Sequence, residues 1–181
     1  MSYMAHLLTG IRLVLAAPLA VAYARPEFLH AGLVAVLLTV AIFTDLLDGA
    51  AARRHGTASA RGQLFDHATD CLFVTAALTG AALAGRVTAL LPVLVVLAFA
   101  QYVVDSWWLH REKRLRMSAI GRWNGIGYFV PLVILAAAPL QVIPGQAAVL
   151  TPLAAATAWV LVGSTVVSIV DRATAARRAR G

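Results

Sequence analysis

Charge is scarce in this chain. Only 13% of its 181 residues are Asp, Glu, Lys or Arg, against about a quarter in an ordinary soluble domain, and no polar stretch is long enough to fold as a separate unit. Cysteine is almost absent: Cys71 stands alone, which excludes an internal disulfide and a multi-cysteine metal site. The N-terminal "MSYMAHLLTGIRLVLAAPLAVAYA" has no basic n-region, and its Arg12 lies inside the apolar run, so a retained first helix is expected rather than a signal peptide. Acid is scarcer than base, eight residues against fifteen, for a formal charge of +7. Such a balance can signal nucleic acid, but the arginines gather in short loops between apolar runs, so lipid is the expected partner and no nucleic acid is. What is abundant is apolar: 61% of the residues are hydrophobic and the mean hydropathy is +0.81. The composition predicts an all-α, polytopic membrane protein, with residues 1–181 as a single domain.

A membrane span needs about 20 apolar residues. Six segments come within a few residues of that length, at 5–23, 28–48, 63–84, 87–109, 125–142 and 147–170. The fifth is short and carries Pro131 and Pro139, which membrane helices tolerate when neighbours satisfy the freed backbone groups. No internal repeat is evident. Of the fifteen Lys and Arg residues, twelve fall after span two, after span four or in the C-terminal tail, whereas Arg25 and Arg86 lie on the other side. By the positive-inside rule both termini are expected in the cytoplasm. Trp107, Trp108 and Trp123 then read as an interfacial belt on that side.

Against this background the stretch "TDLLDGAAARRHGTASARGQLFDHATD" stands out, because it holds four of the eight acidic residues. Asp45 and Asp48 end span two; Asp66 and Asp70 begin span three. Residues three or four apart share a helix face, and a short loop makes the two helices antiparallel neighbours. Four carboxylates should therefore converge on one small volume, in a cytoplasmic layer that also contains Arg12, Asp105 and Asn124. One alternative is that the acids cap helices or pair with nearby arginines. Four phased acids at membrane depth are costly, however, and intramembrane acids mark functional sites. Carboxylates packed this closely resist ionisation unless a cation sits among them, and their hard oxygens suit Mg²⁺, Mn²⁺ or Ca²⁺. Two ions would balance the charge completely. Gly49 and Gly62 allow a ligand close to the backbone, and Arg53, one turn past Gly49, can reach a phosphate. His67 lies one residue from Asp66 and points off the shared face, as a packing residue. Metals beside an arginine at a lipid–water boundary suit displacement at phosphorus in a phosphoanhydride-containing lipid.

The order Asp45-x2-Asp48-Gly49-x2-Ala52-Arg53-x8-Gly62-x3-Asp66-x3-Asp70 resembles the full motif of the CDP-alcohol phosphotransferases, with every position and spacing present. "LLTGIR", with Thr9 and Arg12, is similar to the family's first-helix pattern PNxLTxxR, with Ala5 and His6 replacing its Pro and Asn. The resemblance implies that Asp45, Asp48, Asp66 and Asp70 hold Mg²⁺ or Mn²⁺, as a pair of ions, and that Asp70 also acts as the catalytic base. It implies a CDP-donor pocket formed by Thr9, Arg12, Asp48, Gly49, Ala52, Arg53 and Gly62, and a homodimer. A short member of bacterial type would sit in the cytoplasmic membrane with its active site on the cytoplasmic face. Its expected reaction moves a phosphatidyl group from a CDP-linked lipid donor, CDP-diacylglycerol, to an alcohol acceptor, releasing CMP.

The acceptor is read from the loop "HREKRLRMSAIGRWNG", in which Arg116 and Arg122 are the candidates to hold its phosphate. Gly121-Arg122 resembles a Gly-Lys element of the family, and the expected acceptor is a phosphorylated polyol such as glycerol 3-phosphate or inositol phosphate. Cys71 departs from the Lys or Arg that often follows the fourth Asp in members of this type, which leaves an unphosphorylated acceptor such as serine as the alternative. Two rival classes fit worse. A carrier would need polar groups through the full depth of the bundle, and a non-catalytic scaffold leaves the acid constellation unexplained.

Overall fold

The computed structural model describes residues 3–54, 60–104 and 119–178, and every regular element among them is helical. The helices are α1 (Tyr3–Ala24), α2 (Ala31–Arg54), α3 (Ala60–Leu83), α4 (Leu90–Val104), α5 (Ala119–Gly127), α6 (Phe129–Ala137) and α7 (Gln146–Arg178), with a 3₁₀ turn at Ala138–Leu140. Six helical rods thus stand where six spans were expected, α5 and α6 together making the fifth. Their bounds differ most from expectation at three places, the first being α2, which runs on through Arg54 where span two was expected to end at 48. The fifth rod starts at Ala119 and breaks at Tyr128, where Pro131 offers no N–H and crowds the carbonyl four residues back. The last helix continues to Arg178 instead of stopping at 170, carrying Asp171 and Arg172 with it.

Among the described residues two rods are long and apolar enough to cross a membrane, Ile120–Leu140 and Gln146–Thr174. Shorter apolar stretches lie within α1, α2 and α4, at Thr9–Ala24, Ala31–Asp45 and Leu90–Val104. The outward faces are apolar as well. Val14, Leu83, Val93 and Val160 are each more than half exposed, a surface that a soluble monomer would not leave uncovered and that points to lipid.

Inside, helices meet through small residues, as in membrane bundles that lack a hydrophobic drive between helices. Ala16, Leu19 and Tyr23 of α1 are buried, as are Phe73, Ala77 and Ala81 of α3. Gly80 lets these two helices touch, since a Cβ there would collide with the backbone carbonyl of Ala20. Polar links fix the other half. The Tyr23 hydroxyl donates to the Leu132 carbonyl (2.8 Å), joining α1 to α6. Ser164 Oγ donates to Asn124 Oδ1 (2.6 Å) and the Tyr128 and Thr165 hydroxyls share a 2.9 Å bond, joining the fifth rod to α7. Gln101 Nε2 donates to the Ile169 carbonyl (3.0 Å), joining α4 to α7.

Candidate active site

Among the described residues Arg12 is the largest fully buried side chain. It projects from α1 one turn after the buried Thr9, and close α1–α3 packing drives it into the layer where α2 and α3 carry their acids. Its Nη1 donates to Asp45 Oδ1 at 2.7 Å and its Nη2 to Asp66 Oδ1 at 2.8 Å. Asp70 completes the set as an ion pair with the same guanidinium. Three carboxylates from two helices therefore meet on one cation of a third. Each acid keeps about a quarter to a third of its side chain exposed, whereas Arg12 has none.

The convergence expected from the spacing of the acids is thus present for Asp45, Asp66 and Asp70, and pairing with an arginine is part of it. Asp48, Gly49, Ala52 and Arg53 follow on the last turns of α2, but their side chains lie outside the described residues. Asp105 and Arg116 lie outside them altogether, as do Trp107 and Trp108. Gly62 is half-buried in the first turn of α3, four residues before Asp66.

His67 lies beside two of the acids. One ligand atom each from Asp66, His67 and Asp70 lies within 4.8 Å of the others, because a ring on a two-bond stem can swing back to the face its neighbour occupies. Two hard carboxylates with an imidazole make a donor set suited to a divalent cation, Mn²⁺ as well as Mg²⁺. Around Arg12 three carboxylates face one guanidinium, so the cluster has room for further positive charge. The residues fit such an ion.

A cavity of about 380 Å³ opens beside this layer, between α3, α4, the fifth rod and α7. Asp45, His67 and Asp70 are among its lining residues, as are Arg122 and Arg172, and Phe99 and Phe129 belong to its apolar wall. Arg122 is exposed near the start of α5; Arg172 is partly buried, its guanidinium 5.2 Å from the centre of the Tyr102 ring. That stacking holds a long side chain at low entropic cost. By sequence Arg172 counts with the arginines of the C-terminal tail, beyond the last expected span. The signal available was Ser168 four residues earlier: the two share one helix face, and both line the cavity.

Such an arrangement can bind an anion in the same apolar-walled space that the carboxylate cluster borders. A family model described as CDP-alcohol phosphatidyltransferase matches residues 2–170. No curated protein and no solved structure matches the chain.

Proposed function

This chain belongs to the CDP-alcohol phosphatidyltransferase family, whose members transfer a phosphoryl-alcohol group from a CDP-alcohol, and from that premise we propose the substrates and the roles of the residues. The donor is CDP-diacylglycerol, and the acceptor is a phosphorylated polyol such as glycerol 3-phosphate or inositol phosphate. Asp45, Asp48, Asp66 and Asp70 hold divalent metal, Mg²⁺ or Mn²⁺, in a pair that balances their charge. When bound, the metal supplies Lewis-acid polarisation of the donor's phosphoryl oxygens. Thr9, Gly49, Ala52, Arg53 and Gly62 line the cytidine-diphosphate pocket with Asp48, and Arg12 supports it through the carboxylates.

Asp70 takes the proton of the acceptor hydroxyl. The oxygen forms its bond to the β-phosphorus of the donor, the bond from that phosphorus to the bridging oxygen breaks, and CMP leaves with the electron pair. The apolar wall keeps water from competing as nucleophile. Arg122 and Arg172, with Arg116 as a further candidate from the sequence, hold the acceptor's phosphate, which orients its hydroxyl toward Asp70. All six rods span the bilayer, both termini and the active site face the cytoplasm, and the protein works as a homodimer in a bacterial cytoplasmic membrane.

The observation that carries this reading is one cavity lined both by Asp45 and Asp70 and by Arg122 and Arg172. Two guanidinium groups beside one cavity favour a dianionic phosphate over a zwitterion. The test is CMP release by the purified protein from CDP-diacylglycerol, with glycerol 3-phosphate, inositol phosphate, inositol or serine offered in turn. Release with a phosphorylated acceptor and none with serine is expected. Release with serine alone would replace the phosphorylated acceptor by the unphosphorylated one.

A further inference from the structure

Arg12 carries a second role, which rests on the reading of the aspartates as metal ligands. Its guanidinium is fully enclosed and binds three carboxylates from two helices. A buried arginine in that position is oriented by the acids, and it orients them in return. Without a cation among them, Asp45, Asp66 and Asp70 would repel one another and be costly to hold at this depth. We propose that Arg12 is the built-in counter-cation of the acid cluster: it holds the three carboxylates together before metal arrives and sets how tightly metal binds. Arg12 is thus a positioning residue acting through Asp45, Asp66 and Asp70.

Two consequences separate this role from simple packing and from a direct donor contact. The metal-free protein should lean on Arg12 for stability. Metal affinity, in contrast, should rise when Arg12 is lost, because a fixed positive charge is removed beside the ligands and the carboxylates it engaged become available. A packing role predicts lower stability with unchanged affinity, and a donor contact alone predicts neither effect.

The experiment uses the full-length protein in lipid nanodiscs, stripped of metal, with Mn²⁺ as the probe. Thermal unfolding is recorded with and without Mn²⁺, and free Mn²⁺ is followed by its paramagnetic resonance signal. Arg12→Met should lower the metal-free midpoint, show a larger Mn²⁺-dependent rise than wild type, and bind Mn²⁺ about tenfold more tightly or better, as expected for removing a like charge at short range. Arg12→Lys keeps the charge, so it should restore most of the metal-free midpoint and return the affinity toward wild type. If Arg12→Met does not fold without metal, recovery of the folded protein by Mn²⁺, with Arg12→Lys folded under the same conditions, supports the proposal equally. Arg12→Met with Mn²⁺ affinity equal to or weaker than wild type overturns it, as does an unchanged metal-free midpoint. Failure of the underlying metal reading looks different: wild type, Arg12→Met and Arg12→Lys would all show no Mn²⁺ binding, and the proposal would fall with it.

Discussion

Two charged regions border the same cavity and are built in opposite ways. The acidic one comes from one continuous stretch, Asp45 to Asp70, folded into the facing ends of α2 and α3 and pinned by Arg12 of α1. The basic one is assembled from Arg122 of α5 and Arg172 of α7, with Tyr102 of α4 beneath the latter. The first is set by local helical phase and the second by tertiary packing. Chemistry shared by a family needs the first kind of construction, because its spacing survives changes elsewhere. Choice of acceptor can rest on the second, where one substitution on either helix changes the wall without disturbing the acids.

The sharpest way to break this division is to remove the base. Asp70→Asn should reduce turnover by about 10² to 10⁴, the usual contribution of general-base catalysis, while CDP-diacylglycerol still binds; rates within a few-fold of wild type would return Asp70 to a structural role. Next comes the basic wall. Arg122→Ala and Arg172→Ala should each raise the acceptor KM by about ten- to a hundred-fold, as for loss of a hydrogen bond to a charged group, with the donor KM nearly unchanged. Arg177→Ala, further along α7, is the control. If all three act equally and weakly, the arginines serve lipid attraction and the two regions do not divide the labour.

Smaller effects test the supports of each region. Gly80→Ala should destabilise the protein by about 1–3 kcal/mol, the cost of overpacking a close helix contact. Gly127→Ala, near the basic wall, meets only the end of the Leu161 side chain at 2.9 Å and should be nearly neutral. Denaturation in nanodiscs compares the two. The smallest effect is expected for Tyr102→Phe. The Tyr102 hydroxyl is buried and has no hydrogen-bond partner among the described residues, so its loss should leave stability equal or slightly higher, whereas the ring that supports Arg172 is kept. An acceptor KM within about twofold of wild type is expected, since deleting an unsatisfied buried group carries no penalty.

The same contrast explains what could be read without coordinates. The acids were legible because intervals of three and four on adjacent helices dictate a shared face, and the family motif lies on that stretch. Arg12 was legible in depth but not in partner: hydropathy placed it in the acidic layer, and only the close approach at Gly80 determines that it meets Asp66 and Asp70. His67 reads as a packing residue from its Cβ direction, and a helical wheel does not show that one of its ring nitrogens lies within 4.8 Å of ligand atoms of Asp66 and Asp70. Arg172 was hidden for another reason. Apolar content falls off after Val170, so the last span was ended there, yet helical hydrogen bonding continues through Arg178 and keeps Arg172 in phase with Ser168. The break at Tyr128 was foreshadowed by Pro131, although its effect appears one turn before the proline.

The central claim is that the carboxylates of α2 and α3 run a metal-dependent transfer from a CDP-linked lipid. It is tested most directly by following CMP release from CDP-diacylglycerol with the purified protein and glycerol 3-phosphate, after chelation and after metal is restored. The account predicts no CMP from the chelated protein, recovery on adding Mg²⁺ or Mn²⁺, and no recovery in Asp66→Asn. Full CMP release by the chelated protein, or by Asp66→Asn, would contradict it.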